Sequence, residues 1–458
     1  MTNTLNDLDL LLEPQRAHAT KLLNSIYLNG VSADLSETGT GKTYSAGWIA
    51  KQLQAPVVVV CPKVVVPVWR KVLSSFKIKA HVIINYEKLI RGNTEHLSLD
   101  PNLKTHYPEN YEIKFPKDAL VILDEVHKCK SWKSKSGNFL TALVQQKYKL
   151  LMLSATSATN PLEMKAFGFA THLHGLFDFP DFLTSGGAYR NKFGSYVIDT
   201  ASDKTVEFMK GVHRRLFEQS SLASRMTREE FGSIFPDNHV TADAFDMGGN
   251  TEKINHVYSE MEYELNRLEE RALNYSQHAF AVIIEARRKV ELLKIPSMVE
   301  FVHDLYDEGI SPVVFLNFND SVIALNKLLN KTGKYDNKIG HIIGGQTEKA
   351  READIEAFQN NSFRIMIANL AAGNLGVSLH DLHGGFPRFS LINPSWSAVN
   401  VLQALGRIHR AEGKSPCKQR IMYASGTIED RICENVQAKL NNLSALNDGD
   451  LSGVIVIK

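Results

Sequence analysis

The sequence contains two blocks in which short apolar runs alternate with helix-like stretches, and this alternation limits the folds open to the chain. The first block has its apolar runs at 57–61, 80–84, 119–123 and 150–153. The second begins at Pro312 and contains PVVFLNF, HIIGG, FRIMIA, FSLINP and QRIMYA. Short apolar runs that end at polar or turn-like residues are typical of buried parallel strands. We therefore predict an α/β fold with two parallel sheets, each covered by helices.

The stretch between the blocks has a different pattern. Residues 160–235 are aromatic, contain glycine and are poor in strand-like runs. Residues 250–308 are amphipathic and helical, and Pro296 is expected to break or restart that helix. The predicted organisation is a first α/β lobe at 1–160, a helical extension at 161–249, an inter-lobe helical segment at 250–308, a second α/β lobe at 309–440 and a C-terminal tail at 441–458.

A segment of the first block, SETGTGKT from Ser36 to Thr43, has the spacing of a phosphate-binding loop. Glycine lets backbone amides approach a phosphate closely, and the helix that follows adds its N-terminal partial charge. Lys42 would then reach the β- and γ-phosphates of a nucleotide, and Thr43 would bind Mg²⁺. Ser36 stands where the usual pattern has its first glycine. A glycine-containing turn before a helix is the alternative interpretation.

Two adjacent carboxylates, Asp124 and Glu125, follow the apolar run ALVIL. Ligands bind at the carboxyl ends of the strands in open α/β sheets. There Asp124 could hold Mg²⁺ through water, and Glu125 could act as general base for the attacking water. Such a pair is more often a charge at a helix N-terminus, but the phosphate loop earlier in the chain favours the metal and base roles.

The second block contains QALGRIHR from Gln403 to Arg410. On a helix, Arg407 and Arg410 would share a face. Two guanidinium groups on one face could stabilise a γ-phosphate as arginine fingers do. A solvated basic helix face is the alternative interpretation.

Taken together and in order, these motifs resemble those of superfamily 2 helicases, and specifically the Swi/Snf-type translocases. The matching stretches are LLEPQ at 11–15, SETGTGKT, VVVVCPKVVVPVWRKV at 57–72, INYEKL at 84–89, DEVH at 124–127, LSAT at 153–156, PVVFLNF at 312–318, HIIGGQTEKAREADIEAF at 341–358, ANLAAGNLGVSLHDL at 368–382, NPSWSAVNVLQALGRIHRAEGK at 393–414 and TIEDRI at 427–432. The resemblance implies two tandem RecA-like lobes, each a parallel sheet with helices on both faces, with helical insertions between them.

The resemblance also implies a cleft between the lobes that binds ATP with Mg²⁺. The predicted catalytic residues are Lys42, Asp124, Glu125, Arg407 and Arg410, and the predicted metal ligands are Thr43 and Asp124. Gln15 matches the glutamine that reads adenine. The predicted nucleotide-binding residues are Gln15, Thr38, Gly39, Thr40, Gly41, Lys42, Thr43, Gly376 and Gln403. ATP would make contacts in a closed state that hydrolysis removes.

The implied partner is DNA, duplex or branched, held by its phosphates without reading of the bases. Candidate contacts come from loops after strands, from the basic run after DEVH and from the stretch NPSW: Lys63, Tyr86, Lys130, Lys133, Asn317, Gly345, Gln346, Thr347, Ser378 and Trp396. A solvated loop is the alternative for each lysine of the basic run. A second basic region precedes the second lobe and contains Arg214, Arg215, Arg225 and Arg228.

Two further stretches suggest action on branched DNA. Residues 91–117 are long for a connection between strands, and long loops in compact domains are often functional. We hypothesise that they form a hairpin or finger that engages a DNA branch point. Residues 286–305 (ARRKVELLKIPSMVEFVHDL) resemble the inter-lobe stretch of the fork-remodelling, annealing-helicase subgroup.

Composition narrows the remaining possibilities. The net charge of +2 is not that of a histone-like basic protein, so positive charge for DNA must be local. The four cysteines lie far apart without a CxxC pair, which indicates free thiols in a reducing compartment. The N-terminus has no signal-peptide pattern, and no apolar run approaches the length of a membrane span. We expect a cytoplasmic monomer with no membrane partner.

The activity predicted from these features is an ATP-dependent DNA helicase or translocase that remodels or unwinds forks and Holliday-type junctions. Three alternatives remain: a duplex DNA translocase that does not separate strands, a DExH RNA helicase and a catalytically inactive scaffold. The stretch after LSAT lacks the proline usual in the family, and the family's helical protrusions are compressed. These departures argue against functions that need a nucleosome-facing accessory domain.

Overall fold

The computed structural model describes the chain except for residues 1–6, 92–93, 100–106, 132–133, 193, 246, 248, 271–274, 332, 337, 374–376, 396, 428 and 449–458. The described residues divide into two compact units. Unit 1 runs to Gly232 and resumes at Ala438, and unit 2 spans Ser233–Gln437. The last helix of the chain, Glu429–Asn447, therefore begins in unit 2 and ends in unit 1.

Unit 1 contains a sheet of six parallel strands in the order β10-β1-β7-β6-β2-β3. The strands of this unit are β1 Val31–Asp34, β2 Val57–Cys61, β3 Val82–Asn85, β4 Leu97–Ser98, β5 Glu112–Ile113, β6 Leu120–Asp124, β7 Lys149–Leu153, β8 Tyr189–Arg190, β9 Tyr196–Val197 and β10 Ala223–Ser224. Two short antiparallel pairs, β4 with β5 and β8 with β9, lie outside the main sheet.

Helices cover this sheet. They are α1 Glu13–Asn29, α2 Lys42–Leu53, α3 Val66–Ser75, α4 Tyr86–Leu89, α5 Lys135–Gln145, α6 Lys165–Ala170, α7 Phe179–Ser185 and α8 Asp203–His213. Short 3₁₀ segments lie at Asp7–Leu10, Lys63–Val65, Pro108–Asn110, Val126–Cys129, Pro161–Glu163 and Glu229–Ile234, the last with a kink at Gly232, and a π-helix lies at Arg214–Gln219.

Both faces of the unit 1 sheet are buried, which explains why its strands read as continuous apolar runs. On β6, Val121 and Leu123 pack into one hydrophobic cluster, whereas Leu120 and Ile122 pack into another. All four side chains are 0% exposed. Successive residues point to opposite faces of a strand, so a strand sandwiched between two helical layers needs an apolar residue at every position.

Unit 2 contains a second sheet of six parallel strands in the order β11-β16-β15-β12-β14-β13. They are β11 Asn238–Phe245, β12 Ser311–Leu316, β13 Ile339–Ile342, β14 Ile365–Asn369, β15 Arg388–Ile392 and β16 Cys417–Ala424. The helices are α9 Asn250–Glu270, α10 Tyr275–Asp307, α11 Asn319–Asn330, α12 Glu348–Gln359, α13 Leu370–Gly373, α14 Ala398–Ile408 and α15 Glu429–Asn447.

The predicted fold class is confirmed: each unit is a parallel sheet with helices on both faces. Two expectations were wrong in detail. Pro296 does not break the helix, because α10 continues through it from Tyr275 to Asp307. Proline removes only one hydrogen bond within a helix, and burial of neighbours such as Ile295 and Met298 at 1% exposure stabilises the rest. Residues 238–245, assigned to a helical extension, form edge strand β11.

Among the described residues, no helix is both long and apolar enough to cross a membrane.

Candidate active site

The loop before α2 has the backbone geometry of a phosphate cradle. Gly39 and Gly41 have φ values of +90° and +84°, a region that residues with a side chain rarely adopt. A Cβ atom on Gly41 would also lie 2.2 Å from Nε2 of Gln15, so only glycine fits there. No side chain caps the N-terminus of α2, which begins at Lys42. An anion bound at these first amides would take the place of a cap.

Gln15 forms one wall of this loop. Its side-chain Nε2 donates to the carbonyl of Thr40 over 2.8 Å, and its Oε1 accepts from the amide of Leu12 over 2.8 Å. The residue is 4% exposed. Gln15 thus fixes the position of the loop from the first turn of α1, which places the LLEPQ motif directly beside SETGTGKT.

The ammonium group of Lys42 lies within the curve of the same loop. Its Nζ donates to the carbonyls of Ser36 over 2.8 Å and Glu37 over 2.9 Å. Below the loop, the carboxylate of Asp34 is 0% exposed and lies 3.1 Å from Nε2 of His18. Burial alone would raise the pKa of Asp34, but His18, Lys42 and the Ser36 side chain hold it below its ordinary value.

Asp124 ends β6 and is held by two aromatic residues. The indole Nε1 of Trp69 donates to Asp124 Oδ2 over 2.8 Å, and the hydroxyl of Tyr86 donates to the Asp124 carbonyl over 2.9 Å. Burial and the adjacent carboxylate of Glu125 raise the pKa of Asp124, whereas Trp69 and Lys42 lower it. Two carboxylates that repel each other beside a phosphate cradle are a donor set that suits Mg²⁺.

Glu125 adopts a left-handed backbone conformation, with φ 56° and ψ 54°, which is uncommon for a residue with a side chain. Its Oε2 lies 3.2 Å from Nδ1 of His127. The same ring nitrogen lies 3.2 Å from Oγ of Ser154, and Ser154 Oγ also accepts from the amide of Thr156 over 3.1 Å. The DEVH and LSAT motifs therefore meet through His127, next to the carboxylate predicted to act as base.

In unit 2, Arg407 and Arg410 converge on one acceptor. Arg407 Nη1 and Arg410 Nη2 donate to the carbonyl of Val377, over 3.3 and 3.4 Å. The two arginines do not share a helix face, and that prediction was wrong, because α14 ends at Ile408 and His409 is extended, with φ −106° and ψ 100°. His409 is held in that conformation by a 2.9 Å contact between its Nε2 and the Pro236 carbonyl. The turn, not the helix, brings the two guanidinium groups together.

The other predicted nucleotide contacts of unit 2 are less informative. Gln403 is 4% exposed within α14. Gly376 lies outside the described residues. Val377 and Leu379 follow Gly376 and connect the motif ANLAAGNLGVSLHDL to the motif QALGRIHR. The Val377 carbonyl accepts from Arg407, and the amide of Leu379 donates to the carbonyl of Arg407 over 2.8 Å.

The predicted DNA contacts of unit 1 differ in whether their side chains are exposed and whether they are already bonded to other residues. Lys63 is exposed. Tyr86 is 1% exposed and directs its hydroxyl to Asp124, so its side chain offers no surface to DNA in this conformation. Lys130 donates to Glu163 over 2.7 Å, and its neighbour Lys128 donates to Glu87 over 3.0 Å. Lys133 lies outside the described residues.

In unit 2, Gly345 and Thr347 are exposed at the carboxyl end of β13, and Thr347 caps α12. Gln346 donates to Asp354 over 3.0 Å. Asn317 uses its side-chain amide on Glu291 and on the Pro394 carbonyl. The carbonyl of Ser378 accepts from Gln359 over 2.9 Å. Trp396 lies outside the described residues.

Three functional features escaped the sequence analysis. Trp69 holds Asp124, although a tryptophan in an amphipathic helix signals only burial. Glu291, at 1% exposure in α10, accepts bonds at the carboxyl ends of β12 and β15. Arg225 and Arg228, assigned to a basic region for DNA, instead donate to the phosphate loop. The only feature of the sequence that could have indicated this role is the position of the two arginines before the second lobe.

Residues 314–454 match the family model described as the C-terminal domain on Strawberry notch homologue. A protein of Acanthamoeba polyphaga mimivirus named as an ATP-dependent RNA helicase is 32% identical over 474 aligned residues, which span 99% of this chain and 86% of that protein.

Other relatives match only part of the chain. The ATP-dependent helicase rhp16 of Schizosaccharomyces pombe is 31% identical over 34% of this chain and 18% of its own length. The DNA repair and recombination protein RAD54-like of Drosophila yakuba is 28% identical over 32% of this chain and 18% of its own length. The Sulfolobus solfataricus SWI2/SNF2 ATPase core, solved in complex with dsDNA, aligns over 98% of this chain and 97% of that chain with a TM-score of 0.37 and 18% identity.

The viral relative matches almost the whole chain, and the motifs of both units occur in the order that the family requires. The chain belongs to the superfamily 2 helicases.

Proposed function

We propose that this protein is a DNA-dependent ATPase that translocates on DNA and remodels branched structures such as forks and four-way junctions. The observation that carries the ATPase half of the proposal is the convergence in unit 1. Lys42 lies in the curve of a glycine-bounded loop that follows β1, and Asp124 and Glu125 stand at the carboxyl end of β6 in the same sheet. A cation, a metal-binding carboxylate and a second carboxylate at the carboxyl edge of one sheet are the parts that nucleotide hydrolysis needs.

Each residue of the site has a distinct role in this proposal. Bound ATP with Mg²⁺ supplies the phosphoanhydride bond whose hydrolysis drives movement. Lys42 neutralises phosphate charge, and Thr43 and Asp124 hold the metal ion. Glu125 accepts a proton from the attacking water, and His127 orients the carboxylate and links it to Ser154. Gln15 contacts the adenine.

Arg407 and Arg410 are proposed to stabilise the γ-phosphate as arginine fingers. Both donate to the carbonyl of Val377, which lies within the motif ANLAAGNLGVSLHDL and directly precedes Ser378. A movement of the guanidinium groups would therefore shift the backbone at Val377 and at the neighbouring Ser378, which is one of the proposed DNA contacts. This arrangement supports coupling between nucleotide state and grip on DNA.

The choice of DNA rests on the stretches WSAVN, GRIHR and TIED and on relatives whose names refer to DNA repair and recombination. The viral relative that matches almost the whole chain is named as an RNA helicase, so an RNA helicase is the second candidate. Exposed Lys63, Gly345 and Thr347 would contact phosphates, which DNA and RNA share.

ATPase activity measured with single-stranded DNA, duplex, fork, four-way junction and RNA tests the proposal. We expect turnover to rise most with fork or junction DNA. Stimulation by RNA alone would make the second candidate correct, and no nucleic-acid stimulation would overturn both. Displacement of a labelled strand from a protein-free fork then separates remodelling from translocation along an intact duplex.

A further inference from the structure

We propose that Arg225 and Arg228 are positioning residues that hold the phosphate loop in the shape that binds nucleotide. This inference rests on the proposed ATPase function and extends it to residues outside the helicase motifs. It replaces the expectation that these arginines form a basic surface for DNA. Three sets of contacts lead to it: the backbone that runs beside the loop, the contacts of Arg225 and the contacts of Arg228.

The chain from Ala223 to Met226 runs alongside β1 and continues beside the loop. Ala33 and Asp34 pair with Ala223 and Ser224 as parallel strands. Beyond the paired residues, the amide of Leu35 donates to the Ser224 carbonyl over 2.9 Å, and the amide of Glu37 donates to the Met226 carbonyl over 3.0 Å. The strand pairing therefore extends into the loop itself.

Ser36 takes part in the same ladder, which explains why it stands where the usual pattern has glycine. Its hydroxyl accepts from the amide of Met226 over 2.9 Å. The residue is 0% exposed, so this bond satisfies a backbone donor that has no solvent nearby. A glycine at this position would leave that amide without the side-chain acceptor.

Arg225 contacts Leu35 and Glu37, at the start of the loop that follows β1, and Asp448, which directly follows the C-terminal helix. Its Nη1 donates to the Leu35 carbonyl over 2.9 Å, and its Nη2 lies 3.4 Å from Oε1 of Glu37. Its Nε donates to Oδ1 of Asp448 over 2.7 Å. The side chains of Arg225 and Asp448 are 13% and 15% exposed. Asp448 thus fixes the guanidinium plane that faces the loop.

Arg228 holds the residue that enters the glycine turn. Its Nε donates to the Thr38 carbonyl over 3.1 Å, and its Nη2 donates to Thr38 Oγ1 over 2.6 Å. Its backbone amide donates to Oε2 of Glu37 over 2.9 Å. Thr38 directly precedes Gly39, so these bonds set the direction in which the chain enters the flexible turn.

Together the two arginines hold Leu35, Glu37 and Thr38 with charge-assisted bonds, which are stronger than neutral ones. A glycine-containing loop has many conformations, and ordering it upon nucleotide binding costs entropy. A loop held in advance avoids most of that cost, so its contribution appears as tighter binding of nucleotide. The effect belongs in ATP affinity more than in the chemical step, because neither arginine has been placed against the reacting phosphate.

The test is the Arg228→Gln variant of the full chain, measured beside wild type for binding of a fluorescent ATP analogue, for ATPase kinetics and for DNA binding. We expect the Kd of the analogue and the KM for ATP to rise about tenfold, which corresponds to the loss of about 1.4 kcal/mol. The kcat should fall less than threefold, and DNA affinity without nucleotide should match wild type. Arg225→Gln should act in the same direction.

Two further variants separate positioning from general damage. Asp448→Asn removes the negative charge of the partner that orients Arg225 and should raise KM by a smaller factor. Arg225→Lys keeps the charge beside Glu37 and Asp448 and should restore part of the affinity that Arg225→Gln loses. Arg190→Gln, which alters an exposed hairpin arginine of the same unit, should leave every value unchanged.

Wild-type nucleotide affinity in Arg228→Gln, with DNA affinity reduced, would overturn the inference and return these residues to a DNA surface. Equal losses of kcat and affinity would also overturn it. If Arg228→Gln does not fold, Thr38→Val removes one acceptor alone and the same comparison applies. Wild-type protein that neither binds nor hydrolyses ATP would instead refute the proposed function, so the two failures are distinguishable.

Discussion

The indole Nε1 of Trp69 donates to Oδ2 of Asp124 over 2.8 Å. This bond fixes one oxygen of the carboxylate proposed to hold Mg²⁺. Trp69→Phe keeps an aromatic ring in a site that is 0% exposed but removes the donor. Hydrogen bonds to charged groups contribute about 1.5–3 kcal/mol, so a freed carboxylate should lower kcat about tenfold. ATPase titrated with Mg²⁺ should show a higher half-saturating concentration.

Protein stability provides the control for this variant. The melting temperature of Trp69→Phe should fall by only a few degrees, because the ring still fills its place in the core. Nucleotide binding measured in EDTA should match wild type. An unchanged Mg²⁺ requirement would show that the indole N–H serves packing and not the carboxylate.

Glu291 on α10 organises the carboxyl edge of the unit 2 sheet. Its carboxylate accepts from the amides of Asn317 and Phe318 and from the side chains of Asn317 and Asn393, at distances from 2.6 to 3.1 Å. Glu291→Gln replaces one accepting oxygen with an NH₂ group, which is itself a donor. This NH₂ group would face the N–H groups that now bond to the carboxylate. We expect a loss of about 2–4 kcal/mol in the free energy of unfolding, measured by urea denaturation.

Glu285→Gln is the matched control on the same helix. Glu285 is a surface residue that pairs with Arg288, three residues along the helix. Exposed pairs of this kind contribute less than about 1 kcal/mol, so this variant should unfold close to wild type. Similar losses of unfolding free energy in the two variants would show that the hydrogen bonds of Glu291 stabilise the fold no more than an exposed ion pair does.

Sequence patterns predicted the sheets because buried parallel strands need apolar residues at every position, as in β2 and β6. They failed at β11, where NHVTADAF alternates polar and apolar residues at the edge of the sheet and precedes two long helices. An edge strand has one neighbour, so its pattern carries less information. Pro296 led to the opposite error, because a break was predicted where the helix continues. Tertiary packing around α10 outweighs the one hydrogen bond that proline removes.

The phosphate loop and the DEVH motif could be located from sequence, because few residue types can perform their chemistry. The residues that hold them could not. Trp69 and Arg228 lie 55 and 190 residues away in sequence from their partners Asp124 and Thr38. Asn317 was predicted to contact DNA from its place after a strand, yet its side chain is bonded to Glu291. Pairings across such separations depend on the folded chain.

His380 should make stability depend on pH in the acid range. Burial, together with the charges of Arg410 and Arg388, lowers its pKa to about 4, although Asp381 acts in the opposite direction. Between about pH 6.5 and 4 the unfolded chain binds a proton that the folded chain does not, so stability falls as pH falls. The difference amounts to about 3 kcal/mol at pH 4.

Thermal melting of wild type and His380→Gln between pH 4.5 and 7.5 checks this expectation. The variant lacks the titrating ring, so its melting temperature should decline less steeply as pH is lowered. Parallel curves for the two proteins would mean that His380 is protonated as readily in the folded chain as in the unfolded chain.

Lys42→Ala and Glu125→Gln should fail at different stages of the cycle. Removing the Lys42 ammonium deprives the phosphates of their partner, and both ATP binding and hydrolysis should be lost. Glu125→Gln should still bind ATP but hydrolyse it at least about a hundredfold more slowly, since general bases contribute on that scale. Filter binding and phosphate release distinguish the two. Normal turnover by Glu125→Gln would assign the base to another residue.

The hypothesis of a finger at residues 91–117 can now be tested without damaging the core. The described part of this segment forms the antiparallel pair β4 with β5, and its side chains Leu97, Ile113 and Phe115 are 0–6% exposed in the core of unit 1. Deleting the whole segment would remove these contacts and unfold the lobe.

Residues 100–106 lie outside the described residues, and replacing them alone with a Gly-Ser linker of equal length retains the pairing of β4 with β5. We expect DNA-stimulated ATPase to persist and fork displacement to be lost. Equal loss of both activities would mean that the segment serves folding, and unchanged displacement would remove it from branch recognition.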